Sequence, residues 1–293
     1  MASASPITPL VRPEFEHATV EAGQIGEVER PLSTWERLTN IEWVRKAAIL
    51  ITLAVIWEAY ARYVGNELTF PTLVQTMQAL WDSTVSGPLL ERTFTSLKVL
   101  LTGYALGLFI AAVFTTIAVS TRIGTDLLST LTAMFNPLPA IALLPLALLW
   151  FGLGTPSLVF VIVHSVLWAV ALNTHTGFLA VSETQRMAGM NYGLRGVRYV
   201  LKILIPAAFP SILAGLKIGW AFAWRTLIAA ELVFGVSSRS GGLGWFIFEN
   251  RNQLETANVF AGLTAVIVIG LVVESVVFRT IEMHTVRKRG MQR

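Results

Sequence analysis

Apolar residues in this chain are gathered into long runs separated by short polar stretches. Six runs are long enough to cross the hydrocarbon core of a bilayer, which requires about 20 mostly apolar residues per helix. They lie at about 47–64, 96–120, 126–151, 157–181, 207–234 and 258–281. Pro137, Pro139 and Pro145 interrupt the third run, so we expect it to be kinked, or broken into two helices, and to face the bundle interior. The pattern predicts an all-α membrane protein with about six transmembrane helices.

The segments around these runs differ in character. Residues 1–32 combine prolines with acidic side chains and lack apolar periodicity, which predicts a disordered cytoplasmic tail. Ser33-Thr34-Trp35-Glu36 matches a capping box, and residues 33–46 are predicted to form an interfacial helix leading into the first span. The transmembrane domain then covers residues 47–283, and residues 284–293 form a basic cytoplasmic tail.

Lysine and arginine are distributed unevenly between the two sides of the predicted membrane. With the amino terminus inside, the cytoplasmic segments hold fifteen of these residues and the opposite side holds five. This asymmetry predicts a multi-pass protein of the bacterial inner (cytoplasmic) membrane with both termini in the cytoplasm. The net charge of +4 is explained in the same way. We therefore expect contact with membrane lipid and no nucleic-acid partner.

Composition excludes several classes of chemistry. Charged residues make up 14% of the chain, against about 25% in soluble domains. The chain has no cysteine, and its four histidines lack the spacing of metal ligands, so we expect no metal site. No G-x-x-x-x-G-K-[ST] motif is present to hold nucleotide phosphates, and no paired residues suggest catalysis. Energy for any transport must come from another chain or from an ion gradient.

The loop between the fourth and fifth runs, residues 182–206, has an unusual pattern. Arg195, Arg198 and Lys202 recur at spacings of three and four residues, and apolar side chains occupy another face. This periodicity predicts an amphipathic helix pair hinged at Gly193, suited to docking into a groove on a soluble partner. The alternative is an ordinary basic loop that lies on lipid headgroups.

The same loop resembles the coupling-loop signature of binding-protein-dependent ABC importer permeases, in which Glu-Ala-Ala precedes a glycine and the loop ends in Ile-x-Leu-Pro. Here Met187-Ala188-Gly189 stands for Glu-Ala-Ala, Gly193 is the glycine, and Ile203-Leu204-Ile205-Pro206 forms the end. Met187, Gly189 and Ile205 depart from the signature. Other segments resemble the nitrate/sulfonate/taurine branch of these permeases, and together the likeness covers about residues 55–281: Trp57-Glu58, Phe70-Pro71, Ser96-Leu97, 143–154, 207–217 and 229–232.

This resemblance implies a type I ABC importer permease-like bundle that pairs with a second copy of itself. It further implies two ATP-binding subunits and an extracytoplasmic substrate-binding protein as partners. ATP and magnesium then belong to the partner ATPase, so this chain is not an enzyme and carries no cofactor. The residues that the resemblance assigns to ATPase docking are Met187, Ala188, Gly189, Asn191, Tyr192, Gly193, Leu194, Arg195, Ile203 and Pro206.

Ionisable residues in the fifth run are candidates for the translocation pathway. A charge at mid-span costs at least about 2.5–3.5 kcal/mol, so such residues normally face the protein interior. Helical periodicity places most of them, with two tryptophans, on one face, and Arg225 lies at its edge. The predicted pathway residues are Lys217, Trp220, Trp224, Arg225 and Glu231, with His164 from the fourth run. Trp150 and Trp168 are expected to be packing or interface residues.

Structural roles are the alternative for these side chains. Arg225 would then pair with a carboxylate such as Glu274 or Glu58, Lys217 would extend along the protein interior, and His164 would hydrogen-bond to a neighbouring helix. Taken together, the residues predict a permease subunit for a small organic or inorganic oxyanion of the sulfonate, taurine or nitrate kind. The alternative function is an ion-coupled secondary transporter or channel for a small anion.

Overall fold

A computed structural model describes Glu36 and residues 40–234 and 241–287. Most of the predicted tails, residues 1–32 and 288–293, and Ser33 of the predicted capping box lie outside these ranges. The chain divides into two compact units, Met1–Leu53 and Ala54–Arg293. The described helices are α1 (Glu42–Val64), α2 (Leu73–Val85), α3 (Leu89–Ser120), α4 (Arg122–Phe135), α5 (Leu144–Phe151), α6 (Thr155–Leu179), α7 (Glu183–Asn191), α8 (Gly196–Tyr199), α9 (Ile205–Phe234), α10 (Leu243–Asn252), α11 (Thr256–Val272) and α12 (Arg279–Glu282).

Five continuous helical stretches of the described residues are long and apolar enough to cross a membrane: Glu42–Val64, Leu89–Ser120, Thr155–Leu179, Gly196–Val233 and Thr256–Thr285. Arg122–Phe135 and Ala140–Phe151, two helical pieces bent by 88° at the break between them, are together long and apolar enough to count as a sixth span. The prediction of an all-α protein with about six spans is therefore confirmed. The third span is broken in two, as its prolines predict.

Proline explains the position of this break. Pro137 has no N–H to donate to the carbonyl of Ala133, and Leu138, which precedes Pro139, is disfavoured in the helical conformation, so the two prolines together weaken the helix at this point. The Asn136 N–H still bonds the Thr132 carbonyl at 3.0 Å, and the Leu138 N–H then bonds the Phe135 carbonyl at 3.1 Å in a tight turn. Pro139 follows this turn, and the next helical piece, Ala140–Phe151, runs at 88° to α4.

Helix α6 lies at the centre of the second unit and packs along both α3 and α9. Two glycines of α3 permit the close approach on one side. A Cβ at Gly103 would come within 2.7 Å of the Ile162 side chain, and one at Gly107 within 2.8 Å of Val166. Small residues at such contacts let membrane helices interlock through van der Waals packing, because apolar burial alone does not drive helices together in lipid.

The helix of the fifth span is continuous with the second half of the predicted loop. Helix α8 passes through a π-helical turn, Val200–Leu204, directly into α9, so the helix extends to the loop side of the boundary that the sequence predicts at Pro206. Within the π-helical turn the Ile205 N–H bonds the Val200 carbonyl, and Pro206, which needs no partner for an N–H, follows without breaking the helix.

Candidate translocation site and docking loop

A cavity of about 340 Å³ lies beside the break between α4 and α5. The chain around the break forms one wall, and α6 and α9 form the others. Its lining residues are Phe135, Asn136, Pro137, Leu138, Pro139, Ala140, Ile141, His164, Ser165, Trp168, Phe222, Arg225, Thr226 and Ala229. Two of the six predicted pathway residues, His164 and Arg225, are therefore brought together here, from helices that are far apart in sequence.

Arg225 is the cationic group of this cavity. Its guanidinium carbon lies 5.2 Å from the centre of the Phe222 ring, and its Nε donates to the Ala221 carbonyl at 3.1 Å. Among the residues that the structure describes, neither terminal nitrogen has a hydrogen-bond partner, and no carboxylate forms an ion pair with the side chain. Arg225 therefore presents two donor nitrogens and a full charge to the cavity.

The aromatic wall of the cavity is built by α4 and α6. Phe135 and Trp168 are stacked, with ring centres 5.3 Å apart and planes 13° from parallel. The His164 ring meets both nearly edge-on, with centres 6.3 Å and 6.2 Å away. Beside them, the hydroxyls of Ser165 and Thr226 share a hydrogen bond of 2.8 Å that links α6 to α9.

Three buried polar atoms in this wall have no hydrogen-bond partner in the described part of the chain: Nδ1 and Nε2 of His164 and Nε1 of Trp168. Leaving a buried donor or acceptor unpaired costs about 1–3 kcal/mol, so native interiors seldom retain such groups without a reason. The expected hydrogen bond from His164 to a neighbouring helix is thus not observed.

Lys217 lies outside the cavity and is paired. Its Nζ is 2.7 Å from a carboxylate oxygen of Glu282 and 3.9 Å from one of Glu274. Glu58, the other carboxylate considered for Arg225, bonds Arg62 at 2.7 Å and the Leu73 N–H at 2.9 Å. Of the two carboxylates that the sequence suggested for Arg225, Glu274 therefore lies beside Lys217 and Glu58 pairs with Arg62.

Trp220 and Trp224 also lie outside the cavity, in contacts between helices. Trp220 meets Tyr104 of α3 edge-on at 5.4 Å and Phe278 at 6.4 Å. Trp224 is buried, and its Nε1 donates to the Val266 carbonyl at 3.3 Å. For both residues a role in the pathway stays a prediction.

Glu231 occupies a closed site where α3, α9 and α10 meet. Its carboxylate accepts a hydrogen bond of 2.8 Å from the Ser96 hydroxyl and another of 2.8 Å from the Gly244 N–H. The Ser96 oxygen in turn accepts from the Leu243 N–H at 2.7 Å. The carboxylate thus caps the amino-terminal end of α10, where the helix dipole favours negative charge. A pathway role for Glu231 stays a prediction as well.

The predicted docking loop consists of α7, a glycine turn and the extension of α9. The turn is a Schellman motif: the Leu194 N–H bonds the Gly189 carbonyl at 3.1 Å, and the Gly193 N–H bonds the Met190 carbonyl at 2.9 Å. Gly193 has φ +71°, a conformation that glycine adopts without strain. Gly193 thus forms the turn between the two helices, at the position where the sequence predicts a hinge.

Most of the predicted docking residues are exposed in the described chain. Tyr192, for example, is 86% exposed and Met187 is 52% exposed. Ala188, Asn191, Gly193 and Arg195 are exposed as well, whereas Leu194, Ile203 and Pro206 are half-buried. Gly189 is buried against Ile203 and Tyr199. The contact is so close that a Cβ at this position would come within 2.8 Å of the Ile203 side chain and 3.1 Å of the Tyr199 ring. Close packing thus explains why glycine replaces the alanine of the signature.

Several residues of this site were not found by sequence reasoning. Asn136, Ser165 and Thr226 line the cavity without having been singled out, and Trp168, expected to be a packing residue, lies in its wall. Trp168 follows His164 by one helical turn, and Thr226 follows Arg225 directly. Their closeness in sequence to these two predicted residues is the feature that could have identified them as lining residues. Arg186 of α7, one of the fifteen predicted cytoplasmic cations, makes a structural contact: its Nη2 and Nε donate to the carbonyls of Phe178 and Val181 at the end of α6.

Comparison with known proteins is consistent with this architecture. The sequence model of the family described as binding-protein-dependent transport system inner membrane component matches residues 103–284. A putative ABC transporter permease protein of Methanocaldococcus jannaschii is 30% identical over 245 residues, which cover 81% of this chain and 90% of that relative. The taurine transport system permease protein TauC of Escherichia coli is 29% identical over 77% of this chain and 82% of its own length. The nitrate import permease protein NrtB of Synechocystis is 28% identical over 79% and 85% of the two chains.

Proposed function

Because this chain belongs to the family of binding-protein-dependent transport system inner membrane components, we propose that two copies of it form the pathway for a small oxyanion across the bacterial inner membrane. An extracytoplasmic binding protein delivers the solute, and two separate ATP-binding subunits supply the energy. The chain itself performs no catalysis. Relatives named for taurine and nitrate transport support an oxyanion as the solute.

The observation that carries this proposal is the state of Arg225. A guanidinium with no ion-pair partner in the described chain, at the wall of a cavity beside a broken span, gives an anion a favourable potential. A cation that assists passage must attract the anion without trapping it. Arg225 meets this requirement, since its Nε is engaged by the Ala221 carbonyl and its charge rests partly on the Phe222 ring.

The broken span supports the location. Transporters place their solute sites where a membrane helix is interrupted, because irregular backbone is tolerated only where it lines a cavity or is buried in protein. Here the interruption at Pro137–Pro139 forms one wall of the cavity.

Exposure of Arg225 supports pairing with a second copy. In the single chain both Arg225 and Phe222 are exposed. A charge at this depth facing hydrocarbon would cost at least about 2.5–3.5 kcal/mol, so the face must be covered by protein or open onto water. A second copy placed against α9 encloses the cavity and provides both conditions.

The docking loop connects this cavity to the energy source. Helix α8 is continuous with α9 through the π-helical turn, and α9 carries Arg225. A small apolar cluster that includes Phe178, Val181 and Leu204 fastens the base of the loop to α6. A movement of the loop against an ATPase subunit is thereby transmitted along α9 to the cavity wall.

Uptake by the reconstituted transporter tests the proposal. The complex that co-purifies with the chain is placed in liposomes with its binding protein, and uptake of taurine, nitrate and a panel of sulfonates and carboxylates is measured. Arg225→Gln is expected to lower uptake of the carried solute at least tenfold without loss of assembly, and Arg225→Lys to retain part of it. Arg122→Gln, a surface cation at the start of α4, is the control and should leave uptake unchanged.

Two results would contradict the proposal. Unchanged uptake in Arg225→Gln would remove the arginine from the pathway. Absence of any co-purifying subunit with affinity for nucleotide would remove the coupling to ATP, and an ion gradient would then be the source of energy.

A further inference from the structure

The lining of the Arg225 cavity contains more than a charge, and its chemistry narrows the class of solute. We propose that this cavity selects organic anions with a flat apolar body: the anionic group lies at Arg225, and the body lies against the Phe135–Trp168 stack. Small inorganic oxyanions are then poor ligands of this cavity. The inference rests on the proposed function, because it places the solute in this cavity.

The size of the cavity is the first argument. Its volume of about 340 Å³ is more than twice that of a cavity of about 150 Å³ that admits benzene. It corresponds to roughly eleven water molecules at about 30 Å³ each. An inorganic anion such as nitrate fills a minor part of this space, and an anion that carries a ring fills a large part of it.

The distribution of polar and apolar groups is the second argument. Apolar side chains and prolines make up most of the wall, including Pro137, Pro139, Ile141 and Phe222. The charge is confined to one residue, Arg225. A wall of this composition takes up apolar surface and orients it with a few polar groups, which is the usual design of a site for an organic ligand. A small hydrated anion would lose water to this wall without compensation.

Unpaired polar atoms supply the third argument. Trp168 is 7% exposed, and its Nε1 has no hydrogen-bond partner in the described chain. An indole N–H is only a donor, so the group that satisfies it must be an acceptor, such as an oxygen of a sulfonate or carboxylate. Both nitrogens of the adjacent His164 are likewise unpaired. One of them donates in either neutral tautomer, so this wall holds two donors that have no partner among the described residues.

The geometry of the aromatic groups is the fourth argument. Phe135 and Trp168 lie nearly parallel, with planes 13° apart, and so already form a stacked pair. The face of such a pair favours a further ring in an offset arrangement. Phe222 backs the Arg225 guanidinium at 5.2 Å, and both residues belong to α9. The cationic and aromatic walls therefore belong to different helices, and a ligand that bridges them must have both an anionic head and an apolar body.

Binding to the purified complex in lipid nanodiscs, without any binding protein, tests this inference directly. The probes are benzenesulfonate and benzoate, which share a ring and differ in the anionic group, with methanesulfonate and nitrate as small anions and benzenesulfonamide as a neutral ring. Benzenesulfonate or benzoate is expected to bind about tenfold more tightly than methanesulfonate and nitrate, which corresponds to the stacking of one ring. Benzenesulfonamide is expected to bind more weakly than either aromatic anion.

Variants separate the two walls. Trp168→Leu should reduce the preference for the aromatic anions to about threefold or less, and it should weaken methanesulfonate only as much as Trp168→Phe does, because both variants lose the indole N–H. Trp81→Leu, at an exposed tryptophan of α2 outside the cavity, is the matched control and should keep the full preference. If Trp168→Leu does not assemble, Trp168→Phe retains a ring without the N–H. It should keep most of the preference over small anions and weaken all anions by the loss of one donor.

The outcomes distinguish the inference from the proposed function. Equal affinity for nitrate, methanesulfonate and benzenesulfonate, or no binding of the aromatic anions, would overturn the inference. In that case, a loss of uptake in Arg225→Gln would still support the proposed role of Arg225 in the translocation pathway. Uptake that does not depend on Arg225 would overturn the pathway itself, whatever the cavity binds.

Discussion

At the scale of single residues, Glu231 shows how an acidic side chain is accommodated within a membrane helix. The carboxylate is 1% exposed and receives hydrogen bonds from Ser96 and from the backbone of Gly244. Glycine is required beside it, because a Cβ at Gly242 or Gly244 would collide with the glutamate side chain. Arg92 holds the same segment through the Gly241 carbonyl at 3.0 Å. The arrangement joins three helices at a single charged group.

Removing either side of this contact should destabilise the protein. Glu231→Gln keeps only one acceptor oxygen for the two donors, Ser96 and Gly244, and Ser96→Ala leaves the Leu243 N–H without its acceptor. Each change is expected to cost about 1–3 kcal/mol, the range for a buried polar group left unpaired. Because the two residues act as one network, the double variant should cost less than the sum of the single variants. Thermal inactivation of the purified protein measures this, with Thr102→Ala, at an exposed residue of α3, as control. Strict additivity would argue against a shared network.

At the scale of elements, the docking loop depends on backbone geometry that side chains do not provide. Gly193 ends α7 in the left-handed region and donates its N–H to Met190. The chain then re-enters a helix that continues into the fifth span. The turn at the end of α7 therefore depends on a backbone conformation that glycine adopts without strain.

Substitution of Gly193 should uncouple the transporter in proportion to the strain introduced. Gly193→Ala places a Cβ in the left-handed region at a cost of about 1–2 kcal/mol and should lower coupled ATP hydrolysis moderately. Gly193→Pro cannot adopt φ +71° and also loses the N–H, so coupling should be abolished. Co-purification of an ATPase and its stimulation in lipid are the measurements. Gly152 has φ +72° and equally open surroundings, so Gly152→Pro is the matched control; if it uncouples as strongly, the hinge is not specific.

Packing within the loop can be tested by compensation. Gly189→Ala brings a Cβ within 2.8 Å of Ile203 Cγ1 and should separate α7 from the π-helical turn, with faster proteolysis of the loop as the sign. Ile203→Ala removes the clashing atoms, so the double variant should recover much of the protection. If the single variant is as resistant as the parent protein, the loop is not held by this contact.

At the scale of the whole molecule, orientation in the membrane follows from charge and can be measured because the chain has no cysteine. Single cysteines at the exposed positions Gln78 of α2 and Asn191 of α7 report the two sides. With both termini in the cytoplasm, an impermeant maleimide added to spheroplasts should label Gln78→Cys alone, and Asn191→Cys only after permeabilisation. The reverse pattern would overturn the predicted orientation.

Much of the architecture was accessible from the sequence, because it depends on local properties. Hydrophobic length determines the spans, and the prolines at 137 and 139 mark where the third one breaks. Proline alone does not end a helix, however: the π-helical turn before Pro206, which no local pattern predicts, carries the helix through that residue.

The sequence by itself determined the six spans, the family and the hinged loop, since each depends on residues close together in the chain. The tertiary structure decided which charges are paired. A helical wheel places Lys217, Arg225 and Glu231 around one helix but does not describe their neighbours. Ser96, which holds Glu231, is 135 residues away in the chain, and Glu282, which holds Lys217, is 65 residues away. The packing of distant helices brings carboxylates to Lys217 and brings none of the described ones to Arg225. No local pattern encodes that packing, so only the tertiary structure shows that Arg225 is the cation that faces the cavity.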